Sequence, residues 1–105
     1  METTNKEELI RVQRTNDNKY NLINAQGKLL FDKWFEWIED FDEGLARVKR
    51  VDGKFNLIGE NGKFLSEQWF EWIGDFDKYG LAVVYRTNGE RCKIDKNGKI
   101  IVVSE

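Results

Sequence analysis

KYNLINAQGKLLFDKWFEWIEDFDE, residues 19–43, is written again as KFNLIGENGKFLSEQWFEWIGDFDK at residues 54–78. The two blocks agree without a gap at 15 of 25 positions. Similarity at a fixed spacing, here 35 residues (19 to 54), marks stacked copies of one supersecondary unit. The likeness extends further once Tyr79 is treated as a one-residue insertion. GLARVKRVDG from Gly44 then aligns with GLAVVYRTNG from Gly80, and IGENGKFLS from Ile58 with IDKNGKIIV from Ile94. The early segment LIRVQRTNDNKY resembles LARVKRVDGKF with one extra loop residue.

This pattern predicts an all-β fold of tandem antiparallel three-stranded meanders. The units are expected at about residues 9–32, 45–66 and 81–103, within one domain spanning 1–105. The first holds strands at Leu9–Arg14, Lys19–Asn24 and Lys28–Asp32, and the second at Leu45–Arg50, Lys54–Gly59 and Lys63–Ser66. The third holds Leu81–Arg86, Glu90–Asp95 and Lys99–Val103. The bends contain VDG, TNG, GENG and DKNG, whose Asn-Gly and Asp-Gly steps tolerate the positive φ of tight hairpins. Aromatic linkers at 33–44 and 67–80 join the meanders, with room for a helical turn there or near Lys6. A stacked repeat array, a propeller-like assembly and a closed barrel all fit.

Composition narrows function by exclusion. A net charge of −2 with mixed signs gives no reason to expect nucleic acid or a membrane surface as partner. The start METTNKEELIRV lacks the apolar core of a signal peptide, and no apolar run approaches membrane-spanning length. Cys92 is the only cysteine, which rules out an internal disulfide and fits a reducing, cytoplasmic setting. Histidine is absent, which removes imidazole-activated nucleophiles and the commonest transition-metal ligand. No catalytic residue, metal or cofactor is therefore expected.

The succession aromatic-x-hydrophobic-Ile, Gly-Lys, an aromatic, Asp-Phe and Gly-Leu-Ala-x-Val resembles the bacterial WG repeat. Ile23, Gly27, Lys28, Phe35, Asp40, Phe41, Gly44, Leu45, Ala46 and Val48 carry the match in the first copy. Ile58, Gly62, Lys63, Phe70, Asp75, Phe76, Gly80, Leu81, Ala82 and Val84 carry it in the second. Ile94, Asp95, Gly98 and Lys99 begin a third. The naming Trp-Gly pair is replaced by Tyr20-Asn21, Phe55-Asn56 and Arg91-Cys92, and the consensus tyrosine by Phe35 and Phe70. The resemblance implies a β-rich interaction module and no reaction.

Four tryptophans occupy matching places in the linkers. Trp37 and Trp72, beside Ile38 and Ile73, are expected to be buried and structural, as are Phe41 and Phe76. Trp34 and Trp69, preceded by Lys33 and Gln68, form the candidate binding surface. Arg14, Arg50 and Arg86 recur two residues beyond Val12, Val48 and Val84. Alternation puts them on the inward face, where an arginine needs a carboxylate, with Asp42, Asp77, Asp32 or Glu67 as candidates. The clusters at Asp40–Glu43 and Asp75–Asp77 supply too few oxygens for a calcium loop and suit turn capping. Cys92 sits in no redox motif and is expected to be inert.

The copies differ in one telling way. Tyr20 and Leu22, or Phe55 and Leu57, become Arg91 and Lys93 in the last unit, while Ile23, Ile58 and Ile94 persist. A terminal repeat needs a polar outer face, so the array is expected to end at this third unit. Two functions compete: a non-enzymatic module binding another protein, for instance a small inhibitor or immunity-type protein, or a carbohydrate or small-ligand binder using the linker aromatics. An enzyme working through carboxylates ranks last. The oligomeric state stays open.

Overall fold

A computed structural model describes residues 9–102. These contain nine strands and no helix, so none long and apolar enough to cross a membrane. The strands are β1 (Ile10–Gln13), β2 (Tyr20–Ile23), β3 (Trp37–Ile38), β4 (Leu45–Lys49) and β5 (Phe55–Gly59). They continue with β6 (Trp72–Phe76), β7 (Leu81–Tyr85), β8 (Arg91–Asp95) and β9 (Ile100–Val102). All pairing is antiparallel, in sheets ordered β1-β2, β3-β4-β5 and β6-β7-β8-β9, and no sheet closes into a barrel. The Lys6 turn lies outside the described residues, and neither linker holds a helical turn.

The all-β class and the hairpins match the sequence pattern, but the units are cut differently. The linkers are themselves strands. Phe35 pairs with Tyr20, exchanging both backbone hydrogen bonds at 2.8 Å, and two residues later Trp37 and Ile38 pair with Lys49 and Val48. Phe70 pairs likewise with Phe55, after which Trp72 and Ile73 pair with Tyr85 and Val84. Each WFEWI segment thus leaves the edge of one sheet and joins the next. Its aromatic and β-branched residues favour this extended course.

Lys28–Asp32 and Lys63–Ser66, expected as strands, make only single bridges, Ile23 to Leu29 and Ile58 to Phe64. The linker takes the rest of the β2 or β5 edge, so these segments peel away after Leu30 and Leu65. Buried asparagines fill the gap. Asn21 donates its Nδ2 to the Phe31 carbonyl at 2.9 Å and accepts from the Leu22 and Phe31 amides, standing in for a strand's backbone. Asn56 does the same with the Ser66 carbonyl and the Leu57 amide. In the last unit β9 stays on the edge and Val102 pairs directly with Cys92, so no amide side chain is needed there.

Two core clusters result. The first joins Leu22 of β2 to Phe35, Ile38, Ala46, Val48 and Ile58. The second joins Leu57 of β5 to Phe70, Ile73, Ala82, Val84, Cys92 and Ile94. Each leucine reaches into the core of the following unit, so neighbouring units depend on one another. The third unit has Lys93 at the leucine position.

Candidate functional site

Three surfaces gather chemically capable side chains. The first is an aromatic rim where strand register and ring contacts line up Tyr20, Trp37, Phe55, Trp72 and Tyr85. Tyr20 meets Trp37 edge to face at 5.0 Å, and Phe55 meets Trp72 at 5.6 Å. Trp37 is paired through Lys49 to Phe55, and Trp72 is paired to Tyr85. Trp37, Trp72 and Tyr85 remain 39%, 47% and 38% exposed.

This reverses the expected burial of the tryptophans. Trp37 and Trp72 face outward because their neighbours Ile38 and Ile73 face inward, and consecutive strand residues point to opposite sides. Trp34 and Trp69 are half-buried. Phe41 and Phe76 do pack, partly buried, against the two cores.

Arginines hold the rim in place, and they are not the ones singled out from the sequence. Arg11 donates Nη1 to the Ile38 carbonyl at 2.6 Å, pairs with Asp40 at 3.1 Å, and lies 5.1 Å from the Trp37 ring centre. Arg47 repeats this one unit later, with the Ile73 carbonyl at 2.5 Å, Glu39 at 2.7 Å and the Trp72 ring at 5.7 Å. Each therefore clamps its sheet to the next. The third copy has Val83 at this position, a signal of the same kind as Arg91 and Lys93.

Arg14, Arg50 and Arg86 sit one residue past the ends of β1, β4 and β7, where strand alternation no longer governs direction. They are half-buried and do form ion pairs, but not with the anticipated partners. Arg14 forks onto Asp17 and Arg50 onto Asp52 within the same hairpin, and Arg86 bonds Glu90 at 2.8 Å. The hydrogen bond from Arg14 holds the Asp17 carboxyl below its ordinary range, and the one from Arg50 does the same for Asp52. Glu90 in turn raises Arg86.

The second surface is a cavity of about 630 Å³ lined by both Trp34 and Trp69, with Phe31, Phe35, Phe64, Arg50, Lys33 and Asp52 around it. Here the sequence brought together two residues that the fold also unites. Their rings are already engaged, however. Arg14 covers Trp34 and Arg50 covers Trp69, each at 4.4 Å, and Phe35 stacks on Trp69 at 6.3 Å.

The third surface is an acidic cleft of about 320 Å³ between the second and third sheets. Among the described residues, all but one of its carboxylates, that of Asp42, have structural partners. Glu39 and Asp75 serve Arg47, and Glu43 bonds Lys96 at 2.5 Å. Asp77 accepts the Tyr79 and Leu81 amides as a turn cap, and the Leu81 bond pulls its carboxyl down. Among the described residues no three His, Cys, Asp or Glu side chains converge as a metal-binding group.

The family model of the WG containing repeat matches residues 22–55. The chain carries a WG repeat. This WG repeat runs from Leu22 through the first linker and β4 to Phe55, and so holds every residue of the first core cluster except Ile58. The sequence repeat is thus one core's worth of chain and straddles two sheets. No curated protein and no solved structure matched the chain.

Proposed function

We propose that this chain is a bacterial, cytoplasmic, non-enzymatic module that binds another protein through the rim of Trp37, Trp72 and Tyr85. The supporting observation is that two tryptophans at equivalent places in consecutive units stand almost half exposed while their rings are fixed by neighbours. Trp, Tyr and Arg dominate the energetics of protein interfaces. A side chain already held in place loses little further freedom on binding. The free, buried thiol of Cys92 suits a reducing compartment, and without histidine an enzymatic reading has only carboxylates, lysines, tyrosines and hydroxyls to build on.

Affinity capture from the native host, quantified by mass spectrometry, tests this with three baits. A partner held by the parent chain and by Trp34→Ala, but lost about tenfold or more by Trp37→Ser/Trp72→Ser, supports the rim. Loss with Trp34→Ala alone favours the second reading, a carbohydrate or other small ligand in the 630 Å³ cavity between Trp34 and Trp69. That reading draws on the cavity's aromatic lining, and against it stand the guanidinium groups already lying over both indoles.

A further inference from the structure

In the second and third sheets the outer edge of the first long strand is occupied. The Glu36 amide bonds the Lys49 carbonyl at 2.9 Å and Glu39 bonds Arg47 at 2.9 Å, while Glu71 bonds Tyr85 at 2.8 Å. Phe35 and Ile38, or Phe70 and Ile73, then cover the apolar face of that strand. In the first sheet the corresponding strand is β1, and no described strand pairs with its outer edge. The Arg14 amide bonds Lys19 across the hairpin, so by alternation the backbone groups of Gln13 and Arg11 point away from β2. The face that goes with this edge is open as well. Ile10 is 52% exposed, whereas its equivalents Ala46 and Ala82 are 2% and 0% exposed.

The two finished copies say what belongs there. An aromatic residue, then an aliphatic one three positions later, arrives in extended conformation and hydrogen-bonds to the open edge. We propose that β1 is a docking edge for an extended segment of a partner protein bearing an aromatic-x-x-aliphatic pattern, which completes the first sheet by strand addition. The aliphatic side chain packs on Val12, as Ile38 packs opposite Val48. The extra bulk of Ile10 lies two residues further along and leaves that contact intact. The opposite end of the molecule does not offer such a segment, since Val83, Arg91 and Lys93 replace the residues that elsewhere grip a following unit. This edge uses the outward backbone groups of β1, whereas β1 meets the aromatic rim through the Arg11 side chain and the pairing of Gln13 with Tyr20.

The probe is a dye-labelled peptide copying residues 33–40, KWFEWIED, titrated with the full chain and followed by fluorescence anisotropy. Saturable binding is expected, weakened about tenfold or more when the peptide isoleucine becomes aspartate. Gln13→Pro in the protein should weaken it to a similar extent. That change removes an outward amide which the β1-β2 ladder does not use, so the fold survives. An unchanged dichroism spectrum and melting curve for Gln13→Pro check this. No saturable signal with the parent chain, or equal binding by Gln13→Pro, overturns the proposal. So does a doubling of mass in peptide-free protein that Gln13→Pro abolishes, because it assigns the edge to a second copy.

Discussion

Phe70→Ala should cost about twice as much stability as Trp72→Ala, although Trp is the larger residue and the two lie on one linker two positions apart. Phe70 is fully buried against Leu57, Ile73 and Ala82. Its removal forfeits transfer energy and leaves a cavity, about 3 to 5 kcal/mol together. Trp72 is 47% exposed. The buried half of such a ring is on the order of 100 Å², or ~2.5 kcal/mol at ~25 cal/mol per Å². A compact unfolded state lowers that to roughly 1.5 to 2 kcal/mol, and the vacancy opens to solvent, so no cavity cost is added. The edge-to-face contact with Phe55 contributes about 0.5 kcal/mol more. In urea, with a slope of roughly 1.5 kcal/mol per molar, the midpoint should fall by ~2.5 M for Phe70→Ala and ~1.4 M for Trp72→Ala. Equal shifts, or a larger one for Trp72→Ala, would refute the assignment of inward and outward faces on the linker strand.

Arg47→Lys should lose most of what Arg47→Ala loses, on the order of 2 kcal/mol in denaturant unfolding, because one ammonium cannot serve the Ile73 carbonyl and Glu39 with a guanidinium's fork. Asn56→Cys leaves the Leu57 amide and Ser66 carbonyl unpaired and should cost about 1 to 3 kcal/mol by the same assay, even though Cys92 fits the equivalent place. Gly98→Ala should destabilise more than Gly89→Ala: both sit at positive φ, 88° and 90°, but a Cβ at 98 collides with the Leu65 carbonyl while one at 89 meets nothing. Thermal melts of the pair compare the two directly. Asp17 and Asp52 have lowered folded-state pKa values, so their contribution is present above the ordinary value of 3.8 and is lost as pH falls below it. The melting-temperature gap between the parent chain and Asp17→Asn/Asp52→Asn should therefore be open at pH 7 and narrow as the pH falls below 3.8.

Much of this fold is legible in the residues. The repeat spacing, the Asn-Gly and Asp-Gly bends and the persistent Ile23, Ile58 and Ile94 locate the hairpins and their inward faces. The linkers were harder to read because they change partners midway. Phe35 belongs to the edge of β2 and Ile38 to that of β4, so two inward residues lie three apart and break the period of two that identifies a strand. The same break disguised the exposure of Trp37. Adjacency to a well-buried isoleucine argues for exposure in a strand, since neighbours point to opposite faces. Arg11 and Arg47 could have been found by the comparison that exposed Arg91 and Lys93, because Val83 interrupts them in the same unit. Trp34 and Trp69, expected to be the exposed pair, line one cavity half-buried, because Arg14 and Arg50 lie over their rings from hairpin ends beyond the reach of strand alternation.

Amide hydrogen exchange at Phe35 and Phe70 tests most directly whether the aromatic linkers are strands that weld the hairpins into one ribbon and turn Trp37 and Trp72 outward. Both amides donate to the preceding sheet at 2.8 Å, and they should be protected to nearly the same degree as those of the buried Val48 and Val84 within β4 and β7. Exchange of Phe35 and Phe70 at the rate of the hairpin tips would contradict it, leaving three independent hairpins joined by loops and no fixed aromatic rim.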